Sequence, residues 1–172
     1  IEPTGFAGSY LASHHAQNSY DWKAASGFLD QVLTLDPENT ELIRRSMILA
    51  IGTGDLELAE KRAKTLIVTD PTNDLAYILM TLENIKDENF DAAAETLAQM
   101  PEGDMGDFIK PLLTVWVSAG QGALDTTSLQ DNSIHRYHGA LAAFYMGDLE
   151  RAHALAREFL ASGTSSNHDA VR

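Results

Sequence analysis

Cysteine is missing from this sequence and positive charge is scarce. The 172 residues include 12 Lys and Arg against 25 Asp and Glu, which gives a formal charge of −13. Without cysteine there can be no disulfides, thiolate metal sites or cysteine nucleophiles. Nucleic-acid backbones need a concentrated basic surface, so the acidic balance argues against binding them. No apolar run is long enough to span a membrane. The missing cysteine favours export, while the compartment stays open between cytoplasm and bacterial periplasm.

An internal repeat organises the chain. The segment Asp36–Asn39 (DPEN) returns as Asp70–Asn73 (DPTN), displaced by 34 residues. The same displacement relates a bulky residue and an alanine three positions later: Trp22 and Ala25, Leu56 and Ala59, Phe90 and Ala93. A period of this length, held at many positions, predicts structural units that stack on their neighbours.

Each unit has the pattern of a helical hairpin. In the second hairpin, Asn39 or Thr40 can cap a helix whose apolar residues recur at helical spacing. Gly54 can end that helix, and Pro71 stops the helix that follows. The alanines recur where two helices would cross closely, and the bulky residues before them would fill the gap between hairpins. The predicted packing residues are Trp22, Ala25, Leu56, Ala59, Phe90, Ala93, Leu149 and Ala152.

These features resemble the tetratricopeptide repeat (TPR) family, in particular bacterial proteins with several TPR units. The matching segments are Tyr20–Ala25, Gly54–Ala59, Glu88–Ala93 and Gly147–Ala152. The resemblance implies an all-α fold, a right-handed α-α superhelix or solenoid of about five hairpins, over residues 1–161. The predicted hairpins are residues 6–37, 40–71, 74–101, 106–130 and 134–161.

Two segments depart from the repeat. Phe90 and Leu149 are 59 residues apart, which is nine short of two periods, so the fourth hairpin is predicted to be shortened. Its second helix would be about two turns at Ala123–Leu129. Residues 162–172 lack apolar periodicity and are predicted to be a flexible tail.

No pattern of catalytic residues emerges. His135 and His138 are spaced as an HxxH pair, but no third ligand accompanies them, so surface or interface histidines are the preferred interpretation. Nucleophile elbows and phosphate-binding glycine loops are also missing. We therefore predict neither enzyme activity nor a cofactor, and a metal-dependent hydrolase that uses the two histidines stays as the enzyme alternative.

The resemblance implies a concave groove lined by the first helices of successive hairpins. Of the cationic and amide residues with which the family clamps a C-terminal carboxylate, only Arg45 has a match here. The groove is therefore predicted to bind an amphipathic helix or an extended apolar segment, as a non-catalytic scaffold for a protein or peptide partner. Its predicted lining is Tyr10, His14, Gln17, Arg44, Arg45, Ile48, Ile51, Leu75, Ile78 and Leu82.

Charge distribution leaves two alternatives open. Eight acidic residues and one lysine fall between Glu83 and Asp107, whereas the second hairpin carries five basic residues. Two solvated faces of opposite sign would explain this. The functional alternative is a dipolar surface that steers a partner or packs head-to-tail against another copy in a homo-oligomer. The chain could also be the N-terminal TPR arm of a larger protein or enzyme.

Overall fold

Asp and Asn side chains begin most of the helices. Each accepts a hydrogen bond from the backbone N–H three residues later, which satisfies a donor that the first turn leaves unpaired. The capping residues are Asp21, Asn39, Asp55, Asn73, Asn132 and Asp148. The amide of Asn39 also donates to Asp36 Oδ2 at 2.8 Å. The repeated Asp-Pro-x-Asn segment therefore fixes a loop and caps the next helix.

A computed structural model describes the backbone of residues 5–168 and the side chains of residues 5–103 and 105–161. The described residues form helices and no strand, which confirms the all-α prediction. The helices are α1 (Phe6–Asn18), α2 (Trp22–Leu35), α3 (Thr40–Thr53), α4 (Leu56–Thr69), α5 (Asp74–Lys86), α6 (Phe90–Gln99), α7 (Asp104–Gly120), α8 (Ser133–Tyr145) and α9 (Leu149–His168).

The chain divides into two compact units, Ile1–Met80 and Thr81–Arg172. In the first unit, α1 packs on α2, α2 on α3 and α3 on α4. Ala25 and Ala59 are fully buried among larger core residues such as Leu29, Met47 and Leu66. Small residues at the start of α2 and α4 thus let the helices approach closely while the aliphatic side chains fill the remaining space.

In the second unit, α7 packs on α6 and α8, and α8 packs on α9. Pro111 lies inside α7 and has no N–H for the carbonyl of Asp107, one turn earlier. The side-chain amide of Gln130, in the loop between α7 and α8, donates to that carbonyl at 3.0 Å. The loop therefore satisfies the backbone group that the proline leaves unpaired.

The prediction of a short helix at Ala123–Leu129 is wrong, because this segment consists of a turn and irregular backbone. The side chain of Asp125 accepts hydrogen bonds from the backbone N–H of Thr127 at 2.9 Å and from its hydroxyl at 2.6 Å. Such local bonds offer the backbone an alternative to the helix. The fourth repeat therefore has one helix, α7, followed by an irregular return.

The structure extends α9 into the predicted tail, residues 162–172. The backbone of residues 162–168 continues α9, which ends at His168, and no proline interrupts it. Residues 169–172 lie outside the described part of the chain. Among the described residues, no helix has the length and apolar character that crossing a membrane requires.

Candidate functional site

Arg45 on α3 contacts two other residues of the predicted groove, both in the first unit. Its Nη1 donates to the Tyr10 hydroxyl at 2.9 Å, and its Nη2 donates to Gln17 Oε1 at 2.9 Å. The guanidinium carbon also lies 5.2 Å from the centroid of the Tyr10 ring, in cation–π geometry. The structure thus brings three of the predicted residues together, from α1 and α3. Both hydrogen-bonding partners are neutral.

Arg44 is adjacent to Arg45 in the sequence but has a different environment. It forms salt bridges with Glu41 at 2.6 Å and with Asp70 at 2.5 Å. The Thr72 hydroxyl and then the Arg44 guanidinium lower the pKa of Asp70. Asp70 in turn raises the pKa of Arg44. Arg44 therefore ties the first turns of α3 to the end of α4, where Asp70 begins the Asp-Pro-x-Asn loop.

The remaining predicted groove residues differ in how exposed their side chains are. Ile48 and Ile51 are 38% and 37% exposed on α3, and His14 is exposed on α1, where Asn18 Nδ2 donates to its Nδ1 at 3.1 Å. Leu75 is partly buried against the core. Leu82 is exposed but belongs to the second unit.

The predicted place of Ile78 in the groove is wrong. This residue was predicted to line the groove, but the structure buries it, together with Tyr77 and Leu79. The sequence from Leu75 to Met80 is apolar or aromatic at every position, so α5 has no polar side there and is enclosed around most of its circumference.

The predicted packing residues separate by size. Ala25, Ala59, Ala93 and Ala152 are all buried, and Trp22 and Phe90 are partly buried. A Cβ added to Gly52 would lie 2.8 Å from Trp22 Cε3, so the indole packs against the backbone of α3. Leu56 and Leu149 do not have the predicted packing role, because they are 44% and 63% exposed.

The two histidines of the HxxH pair, predicted as surface or interface residues, both have structural partners, and His135 is not at the surface. His135 is fully buried; its Nδ1 accepts from the backbone N–H of Gln130 at 2.9 Å, and its Nε2 donates to the carbonyl of Phe108 at 3.0 Å. Burial lowers the pKa of His135, which keeps the ring neutral. His138 Nδ1 accepts from Trp116 Nε1 at 3.0 Å. Within the described residues, no three His, Asp or Glu side chains are grouped to hold a metal ion.

A second candidate surface lies between α8 and α9. This open cavity of about 440 Å³, which we call the α8/α9 groove, has an apolar lining. Its large side chains are Tyr137, Leu141, Phe144, Leu149, Phe159 and Leu160. It lies outside the predicted groove, although Tyr137, Leu141 and Phe144 recur at i, i+4 and i+7 on one side of α8. The sequence signal for this groove is a set of apolar residues at helical spacing that remains on α8 once the buried residues of that helix have been assigned.

The fold of this chain has a counterpart among solved structures. No family model matches the chain, and no curated protein sequence does. A solved chain described as "MamA RS-1 ArsTM double mutant" is similar, with a TM-score of 0.71 and 14% identity over 93% of this chain and 95% of that chain. MamA contains TPR units. The predicted fold class of TPR-like helical hairpins is therefore confirmed.

Proposed function

We propose that this chain is a non-catalytic protein-interaction scaffold of the TPR family, which binds a polypeptide segment beside Arg45 in its first unit. One observation carries the proposal. Arg45 is held in position by Tyr10 and Gln17, yet no carboxylate among the described side chains forms a salt bridge with it. In a chain with a formal charge of −13, a fixed guanidinium without a carboxylate partner favours an acidic ligand.

The neighbouring side chains suggest the rest of the ligand. Ile48 follows Arg45 by three residues and Ile51 follows Ile48 by three, so all three lie along one side of α3. Both isoleucines keep more than a third of their surface exposed. A segment with a carboxylate for Arg45 and aliphatic side chains for the isoleucines would match this surface, with Tyr10, His14 and Gln17 at its polar end.

Holding the guanidinium in place before binding lowers the entropy that a partner must overcome. Arg side chains carry a large rotamer entropy, and part of it is already lost in the contacts with Tyr10 and Gln17. Arg44 contributes differently, because its salt bridges with Glu41 and Asp70 leave it committed to the fold. We therefore assign the recognition of a carboxylate to Arg45 and the support of α3 to Arg44.

A displayed library of random peptides, selected on the purified chain, tests this assignment. We expect the enriched peptides to combine Asp or Glu with aliphatic residues. Arg45→Glu should weaken their binding at least about tenfold, which corresponds to about 1.4 kcal/mol. The matched control is Arg157→Glu, the same charge change at an exposed position of α9. Peptides that bind all three proteins equally would refute the role of Arg45.

A further inference from the structure

The α8/α9 groove is an open cavity of about 440 Å³ with an apolar lining, in a chain whose formal charge is −13. Its residues Phe144, Leu149 and Leu160 are each more than 60% exposed. Exposed apolar residues are ordinary when they are scattered, but a contiguous lined groove indicates a surface that another polypeptide covers.

The first hairpin shows what covers the same position of the repeat. Alignment of the helix caps Asp21 and Asp148 pairs Tyr10 with Tyr137 and Leu33 with Leu160. Leu33 is buried in one cluster with residues of α3. Tyr10 is contacted by Arg45 of α3. On this side of the hairpin α1–α2, the helix α3 therefore packs on α2 and reaches α1 through the side chain of Arg45.

The side chains of the α8/α9 groove fit a helix whose side chains differ from those of α3. The same alignment places Leu141 where the first hairpin has His14, and Phe144 where it has Gln17. Gln17 supplies an acceptor for Arg45, whereas Phe144 has none to offer. A buried arginine at the matching position of a covering helix would lose that hydrogen bond. An aliphatic residue there would bury apolar surface on both sides of the contact.

The hairpin of α8 and α9 carries no net charge that would favour a charged covering helix. Residues 133–161 contain three arginines and three acidic residues, so the hairpin is neutral in a chain with a formal charge of −13. A covering helix is therefore held by apolar contacts rather than by attraction to a charged surface.

We propose that the α8/α9 groove docks an amphipathic α-helix of a partner polypeptide, seated as α3 is seated on the first hairpin and apolar where α3 has Arg45. The helix lies with its apolar side against Tyr137, Leu141 and Phe144 of α8 and against Phe159 and Leu160 of α9. This site belongs to the second unit and is independent of the ligand proposed for Arg45.

The chain itself supplies a probe for this site. A fluorescent peptide of residues 39–54, which includes α3, carries Arg45→Leu and a side-chain staple on its polar side to hold it helical. Fluorescence anisotropy measures its binding to the full chain, and the same peptide with Arg45 retained is the comparison. We expect the Arg45→Leu peptide to bind and the Arg45 peptide to bind at least about tenfold more weakly.

Two variants of the chain locate the binding. Phe144→Asp places a charge in the groove, at a side chain that is 66% exposed, and should abolish binding of the peptide. Leu11→Asp makes the same kind of change at a side chain that is 67% exposed on α1 and should leave binding unchanged. Thermal melting of both variants confirms that they are folded. Leu160→Asp makes the same kind of change on α9, which forms the other side of the groove.

Three outcomes would overturn the proposal. The first is no binding of the Arg45→Leu peptide, or binding that Phe144→Asp and Leu160→Asp leave unchanged. The second is dimerisation of the chain that Phe144→Asp abolishes, since the groove would then accept a second copy. The third is binding to phosphatidylglycerol vesicles that the same substitution abolishes, since the groove would then be a lipid contact.

Discussion

At the scale of single residues, one position of the repeat carries backbone strain in two of its copies. The residue before the cap of the second helix has positive φ in each hairpin that repeats it. It is glycine in two copies, Gly54 at φ 76° and Gly147 at φ 77°, but Tyr20 at φ 61° and Glu88 at φ 57° in the others. The left-handed region is costly for any residue with a Cβ.

Tyr20→Gly should therefore stabilise the chain. Tyr20 is 83% exposed, so its side chain contributes little packing that could be lost. We expect the free energy of unfolding, measured by urea denaturation, to rise by about 1 kcal/mol. Tyr20→Ala is the control, because alanine keeps the strain and should give no such gain. Equal stability of the glycine and alanine variants would contradict the explanation.

His135 should make stability depend on pH. Burial lowers the pKa of His135 below its ordinary value of 6.5, while the unfolded chain keeps the ordinary value. The unfolded state therefore binds a proton that the folded state refuses. The stability that His135 contributes is fully present above pH 6.5 and is lost as the pH falls through that value towards the lower folded pKa.

Urea denaturation between about pH 7.5 and about pH 5.5 measures this loss, since unperturbed histidine titrates in that range. The comparison is His135→Gln, whose amide can still donate to the carbonyl of Phe108 but does not titrate. We expect this variant to be less stable at the upper pH and to have a flatter profile than the parent chain. Parallel profiles would mean that other groups cause the slope.

At the scale of helices and loops, the sequence predicts what local chemistry determines. Capping by Asp21 or Asn39 and termination at Gly54 need only neighbouring residues, so the repeat makes these helix ends predictable. The irregular segment Ala123–Leu129 depends on side-chain bonds to the backbone that apolar periodicity does not reveal. The burial of His135 depends on contacts with residues far away in the sequence.

The same limit applies to the candidate sites. Tyr10, Gln17 and Arg45 could be predicted to share a face because the repeat relates their helices. That the adjacent Arg44 pairs with Asp70, and that Ile78 is buried, are outcomes of tertiary packing. The α8/α9 groove could have been found from the apolar spacing of Tyr137, Leu141 and Phe144 on α8. A comparison of hairpins position by position adds that Leu141 and Phe144 replace His14 and Gln17.

Pro111 and Gln130 should be coupled. Gln130→Ala removes the donor to the Asp107 carbonyl, and the expected loss is about 1 kcal/mol of unfolding free energy. In a Pro111→Ala background, the restored N–H of residue 111 can pair with that carbonyl, so Gln130→Ala should cost much less. A double-mutant cycle in urea measures the difference. Additive effects would show that Gln130 stabilises the loop for another reason.

At the scale of the whole molecule, charge decides whether copies of the chain attract each other. Head-to-tail assembly needs basic residues of one copy to reach the acidic region of the next. Several basic residues of the second hairpin are instead paired within their own unit: Arg44 with Asp70, Arg62 with Asp30, and Lys64 with Glu60. With a formal charge of −13 on every copy, repulsion should dominate between molecules.

Sedimentation velocity at two salt concentrations tests this balance. Between about 0.01 M and about 1 M salt, the Debye length falls from about 30 Å to about 3 Å, so any attraction between exposed charges is lost. We expect the chain to sediment as a monomer at the lower salt concentration. Assembly at low salt that dissolves at high salt would restore the head-to-tail alternative. Association that appears only at high salt, where repulsion is screened, would instead indicate an apolar contact, and Phe144→Asp would show whether that contact is the α8/α9 groove.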